Sequence, residues 1–327
     1  MYIYNHLNDA NFFSSQKLPP LVIYESKSLQ SIEKNIINIA KSRNLPLDQL
    51  SFNLINLNSI NQESIFYNQT EIRYPASIVK LFWLVIFFDK YYNNQLNINL
   101  INSLDINQLL RNMIQNSDNE SASKIMDLII GEIMTIENSK ILLTGEELEK
   151  IIDKRYQINT YFLNKGFTNL NITQKTLPIY SLQLDKAKGL EFQLRHPNNE
   201  KKPIRNKLTS EDVATLLYQI YTQKFPQSDE MLALLKRDLN PSAWQDIPFN
   251  AIRGFLGEGI KDENVEFYSK MGWTFNNRND AAIIKSSGGK TAYILVIFGD
   301  DPAYYKDVEF LSKVSKMVYE EMSKFFQ

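Results

Sequence analysis

The chain has 327 residues, 43% hydrophobic and 22% charged, with 19 Phe, 17 Tyr and 3 Trp; that fills a large core, excludes a mostly disordered chain and allows one large or two modest domains. Lys and Arg number 36 against 37 Asp and Glu, so no overall field draws nucleic acid. Cysteine is absent, and His6 and His196 are the two histidines, so disulfides and thiolate chemistry are excluded, a two-histidine metal site or a Ser-His-Asp triad would have to use one or both of them, and a base other than histidine is expected.

Residues 1–19 are polar and read as a loose N-terminal extension. Leu29, Ile32, Ile36, Ile37 and Ile39 recur at helical spacing and predict a helix over 28–43. Phe52 to Leu57 and Ser64 to Tyr67 predict a hairpin. Pro75 suits the first turn of a helix that runs into Leu81 to Phe88. That is the longest apolar run, far short of the ~20 residues that span a bilayer. Leu109 to Ile130 reads as one strong helix and Glu146 to Tyr161 as another. Gly166 to Pro203 reads as long loops with short extended pieces. Ser210, Glu211 and Asp212 place acidic groups in the first turn of a helix reaching Tyr221.

Phe267 to Phe275, Ala281 to Lys285 and Thr291 to Phe298 predict an antiparallel meander with turns at Asn276-Asn277 and Gly288-Gly289. Asp307 to Phe325 closes with Val308, Leu311, Val314, Val318 and Met322 on one helical face. Together these predict an α+β fold, in which an antiparallel sheet flanked by the terminal helices carries an inserted all-α domain. The sheet domain would take 20–74 and 245–327, and the helical one 75–244, with an omega-like loop near 185–208. The first thirty residues lack the charged start and apolar stretch of a signal peptide. A soluble monomer is expected.

Three segments carry chemistry. In Tyr74-Pro75-Ala76-Ser77-Ile78-Val79-Lys80, serine and lysine share a helical face. Ser77 lies in the first turn, where free N–H groups can stabilise an oxyanion, and apolar flanks bury Lys80 and push it toward its neutral, proton-accepting form. Ser-x-x-Lys also begins at Ser14, Ser31, Ser121 and Ser287, but the Ser77 copy alone opens a buried helix behind a proline. Ser117-Asp118-Asn119 interrupts an apolar helix. It reads either as a kink or cap, or as a proton-relaying hydroxyl beside an amide that orients lysine and substrate. Lys270-Met271-Gly272-Trp273 places a lysine and a glycine in a strand, where glycine marks close approach of a ligand and the lysine is either a snorkelling edge residue or an anion site.

This order of motifs resembles the active-site set of class A β-lactamases and penicillin-binding proteins. The resemblance runs from the helix near residue 29 to the C-terminal helix. Arg205 to Ala214 is similar to the family's segment entering the helix after the omega loop, Asn279 to Ile284 to its next sheet strand, and Gly288-Gly289-Lys290 to the hairpin before its last strand. The resemblance implies a β-lactamase/DD-peptidase-like fold and an extracytoplasmic location. It implies Ser77 as acylated nucleophile, Lys80 as base, Ser117 as proton donor to the leaving nitrogen, and Asn119 as holder of Lys80 and the substrate amide. Lys270 would attract the substrate carboxylate, and the Ser77 and Trp273 N–H groups, beside Gly272, would form the oxyanion hole.

Four departures stand out. Met271 replaces a hydroxyl residue, the Ser77–Ser117 stretch is short, and the Ser117–Lys270 stretch is long. The deacylating carboxylate is also unclear: Glu191-Phe192-Gln193-Leu194-Arg195 is the best local match, which makes Glu191 a candidate base. Arg278 and, more weakly, Arg253 could help hold a carboxylate. The function expected is β-lactam opening through acyl-Ser77 without metal or organic cofactor. The alternatives are a DD-peptidase acting on peptidoglycan stem peptides, and a penicillin-binding sensor that deacylates slowly.

Overall fold

A computed structural model describes residues 24–197, 201–262 and 264–324; the extension expected over 1–19 lies outside them. Seven strands form one sheet: β1 (Tyr24–Glu25), β2 (Leu50–Asn56), β3 (Glu63–Tyr67), β4 (Lys236–Arg237), β5 (Glu266–Thr274), β6 (Asn277–Lys285) and β7 (Ala292–Gly299). Their spatial order is β1-β3-β2-β7-β6-β5-β4. All neighbours are antiparallel except β1 with β3. The helices that build the site and its surroundings are α1 (Gln30–Ser42), α2 (Lys80–Tyr92), α3 (Ile106–Ile114), α4 (Asn119–Ile130), α5 (Gly145–Asn164), α6 (Gly189–Arg195), α7 (Ser210–Tyr221) and α8 (Phe310–Lys324).

Alternation along β7 shows why the sheet has two buried faces. Tyr293, Leu295 and Ile297 join Ile32, Ile36, Val314 and Val318 of α1 and α8 in one core. Ile294, Val296 and Phe298 join Phe82, Ile125, Phe162 and Leu217 of α2, α4, α5 and α7 in the other. Successive strand side chains point to opposite faces, so a strand between two helical layers is apolar at every position. The expected hairpin and meander are present, with β2 and β3 in register from Phe52↔Tyr67 to Ile55↔Ser64.

Three expectations change. Leu109–Ile130 is two helices, because Ser117 takes a positive φ of 56° and the Asp118 carboxylate caps α4 by accepting the Ser121 N–H. The Gly166–Pro203 stretch holds a true helix, α6, around Glu191. Strand β6 begins at Asn277, four residues earlier than the apolar run suggests, and Thr274 pairs with Asn277 across the turn. Strands β1 and β4, of two residues each, leave no periodic trace. Among the described residues no helix is long and apolar enough to cross a membrane.

Candidate active site

Ser77 lies in a single 3₁₀ turn, Ala76–Val79, that leads directly into α2. The residue before it, Ala76, has φ 47°, a conformation that persists only where its surroundings over-determine it. They do so here. The Tyr74 carbonyl accepts hydrogen bonds from Asn277 Nδ2 at 2.9 Å and Asn279 Nδ2 at 3.0 Å, and the Tyr74 N–H donates to Asp300 at 3.2 Å. Both asparagines are fully buried on β6, which is why polar residues open that strand.

Lys80 is fully buried one helical turn beyond Ser77. Its ammonium donates to the Ser117 carbonyl at 2.6 Å and to Asn119 Oδ1 at 2.8 Å. Both acceptors are neutral, so burial dominates and pushes the lysine down to about 7, with the Asp118 charge opposing. The left-handed turn at Ser117 aims its carbonyl at Lys80 and its hydroxyl at Lys270, whose Nζ donates to Ser117 Oγ at 2.8 Å and to the Met271 carbonyl at 2.9 Å. Lys270, also fully buried, lies well below an ordinary lysine: burial, then Lys80 and Arg237, disfavour its charge, and Asp280 favours it.

Gly272 explains how strand and turn meet. A Cβ there would come within 2.5 Å of the Pro75 carbonyl oxygen and 2.9 Å of the Ser77 nitrogen, closer than real Cβ atoms approach backbone. Only glycine lets the Ser77 turn lie against β5. Strand β4 pairs with Phe267 and Tyr268; beyond them β5 runs beside the Ser77 turn, with no strand partner on that side among the described residues. Met271 and Trp273 point to the opposite face and pack with the α1–α8 core. The Met271 side chain is thus part of that core, and Trp273 stacks between Phe249 and Tyr305.

The hydrogen bond and ion pair of Glu191 go to Arg155 and not to Ser77, Lys80 or Ser117. The Glu191 side chain is fully buried and Oε1 accepts from Arg155 at 2.6 Å. Arg155, Lys175 and Arg195 hold its carboxyl below the usual range although burial acts the other way. The neighbouring pair Lys175–Asp127, at 2.6 Å, completes a buried group of four charges. Arg278 is turned away as well: it donates to the Gly254 and Tyr305 carbonyls and lies over the Phe255 ring. Arg253 bonds the Gln245 carbonyl. Sequence reasoning missed Arg237, Asn277, Asn279 and Asp280 as members of the surroundings. The one signal for the last three was their polarity inside an otherwise apolar strand.

A serine one helical turn before a buried lysine pushed down to about 7, with a second serine hydroxyl accepting from another lysine, suits acyl transfer by a serine nucleophile. The sheet, its helical layers and this arrangement make the fold that of the β-lactamases and penicillin-binding serine enzymes. The chain belongs to the β-lactamase enzyme family, whose model matches residues 97–322; that match begins beyond Ser77 and Lys80, which are placed by the geometry above. Similar solved structures include an acyl-enzyme complex of a PBP-A variant with penicillin G, at 17% identity and a TM-score of 0.60, covering 94% of this chain and 100% of that one. A β-lactamase from Sphaerobacter thermophilus DSM 20745 has 14% identity and a TM-score of 0.60, over 90% and 98% of the two chains. A class A β-lactamase representative from Bacteroides cellulosilyticus DSM 14838 has 16% identity and a TM-score of 0.57, over 92% and 100%. No curated protein matches significantly.

Proposed function

We propose that this protein is a penicillin-recognising serine acyl-transferase whose acyl-enzyme is long-lived, and that it works in a cleft between a sheet domain (20–74 and 245–327) and a helical one (75–244). Ser77 Oγ attacks the carbonyl carbon of a β-lactam or a peptidoglycan stem peptide while Lys80, as the free amine, takes the hydroxyl proton. The tetrahedral oxyanion is met by the Ser77 and Trp273 N–H groups. Its collapse breaks the C–N bond, Ser117 passes its hydroxyl proton to the leaving nitrogen, and the Lys270 ammonium, which donates to that hydroxyl, replaces it while Lys80 keeps the proton taken from Ser77. Lys270 holds the substrate carboxylate as a charge-assisted partner.

The observation that carries this reading is the double use of Ser117, bonded to Lys80 through its carbonyl and to Lys270 through its hydroxyl. Slow deacylation is supported by the commitment of Glu191 to Arg155. A hydrolytic β-lactamase is the second reading. It is favoured by the ionised state of Glu191 and by its second oxygen, which has no hydrogen-bond partner and could accept a proton from water if the Arg155 pair opened. An intact-mass time course with penicillin G separates them. A persistent adduct mapped to Ser77 supports the first reading, rapid return to the free mass supports the second, and a label on Ser117 or none with any β-lactam overturns both.

A further inference from the structure

Arg237 stands on β4, across from Phe267. Its guanidinium makes three bonds, all to backbone carbonyls: Nη1 to Gln115 at 2.9 Å, and Nη2 to Ile114 at 2.9 Å and Ser269 at 3.0 Å. The first two acceptors end α3, where the last carbonyls have no helical partner and a cation is favoured. They lie two and three residues before the left-handed Ser117, with Asn116 between. The third acceptor immediately precedes Lys270. A planar fork reaches both segments at once, which a lysine ammonium on a single flexible stem cannot reproduce.

We propose that Arg237 is a positioning residue for acylation: it clips the chain entering Ser117 to the strand carrying Lys270, and so sets the 2.8 Å contact between the Ser117 hydroxyl and the Lys270 ammonium. The role rests on the acyl-transfer reading above for its consequence, but not for its geometry. Ser117 has positive φ, so it needs the clip more than a relaxed turn would. The arginine also shares the field at Lys270. That lysine is faced by Lys80 from α2, Arg237 from β4 and Asp280 from β6, with the Ser117 hydroxyl and the Met271 carbonyl as its bonded partners. Arg237 and Lys80 disfavour the Lys270 charge and Asp280 favours it.

The test compares Arg237→Lys, which keeps the charge, with Arg237→Met, which removes it. In Arg237→Lys the rate of Ser77 labelling by penicillin G should fall about 10-fold or more, and a crystal structure should show the Ser117–Lys270 contact broken. Arg237→Met should show the same loss and, in addition, a high-pH limb of the labelling rate displaced upward, since Lys270 loses a cationic neighbour. Variants that lose only melting temperature, with labelling rate and pH profile unmoved, would overturn the proposal. If Arg237→Met does not fold, Arg237→Lys decides alone. If the wild type is never labelled, the acyl-transfer reading fails, and the crystal structure of Arg237→Lys still decides the positioning role: an unchanged Ser117–Lys270 contact overturns it.

Discussion

Two groups of charge are buried among these helices, and they differ in what faces the cations. Around Ser117, Lys80 and Lys270 are held by carbonyls, an amide oxygen and a hydroxyl. Around Glu191, Arg155 and Lys175 are held by carboxylates, Glu191 and Asp127. Burial lowers Lys80, Lys175 and Lys270 alike. In the first group neutral partners leave the proton easy to remove, and the lysine becomes a candidate base. In the second, carboxylates oppose the effect and each charge is committed to another. Burial thus creates the potential for reactivity, and the partner decides whether it becomes chemistry or framework.

The sharpest way to break this contrast is at the nucleophile. Ser77→Ala should abolish covalent labelling by penicillin G, read by intact mass, while the fold persists; a remaining adduct would move the chemistry elsewhere. Next, Lys80→Met should slow labelling by about 10²–10⁴-fold, the usual share of general-base catalysis. Because the free amine is the acceptor, the wild-type rate should rise with pH through about 7. A flat profile would remove Lys80 as base.

Lys270→Ala should lose at least ~2 kcal/mol of acylation efficiency toward carboxylated β-lactams, as when a charged hydrogen-bond partner leaves a cleft, and less toward analogues without the carboxylate. The framework group should respond in stability and not in rate. Glu191→Gln leaves Arg155 buried without its anion, at a cost of about 3 kcal/mol in urea unfolding, yet should leave acylation and release of the adduct nearly unchanged. A large slowing of release would instead support the hydrolytic reading. The Glu191 carboxyl is depressed in the folded state, so its stabilisation is complete above the unfolded carboxylate range and lost as pH falls through the folded value. Glu191→Gln should flatten that acid limb.

Much of the arrangement was legible before any fold was known, for a local reason. Ser77 and Lys80 sit three apart on a helix, and Lys270 and Gly272 two apart on a strand, so each pair faces one way whatever surrounds it. Ser117 was legible as a polar break, but its left-handed backbone was not, because that depends on contacts from Lys80, Lys270 and Arg237, which lie 37, 153 and roughly 120 residues away. The same limit hid Asn277 and Asn279, whose burial makes sense only beside the Tyr74 carbonyl. It also hid the partner of Glu191. Its spacing to Leu194 fits an omega-loop carboxylate, and nothing nearby announces Arg155 on another helix as its partner. Hydrophobic periodicity reports faces; it does not report which distant backbone carbonyl a buried polar group will find.

The order of strands in the sheet carries a consequence for the time at which this protein comes into being. Strand β2 takes β7 as its neighbour, Leu50 opposite Gly299 and Asn56 opposite Tyr293, and the Ser77 turn rests on Gly272. A chain emerging from the ribosome N-terminus first therefore exposes Ser77 and Lys80 long before Lys270, Gly272 and the clamping asparagines exist. Pairings this distant in sequence form late and slowly. On the proposed reading, synthesis then acts as a safety catch, since the Ser77 hydroxyl would meet the Trp273 N–H and Lys270 only after strand β5 has been made.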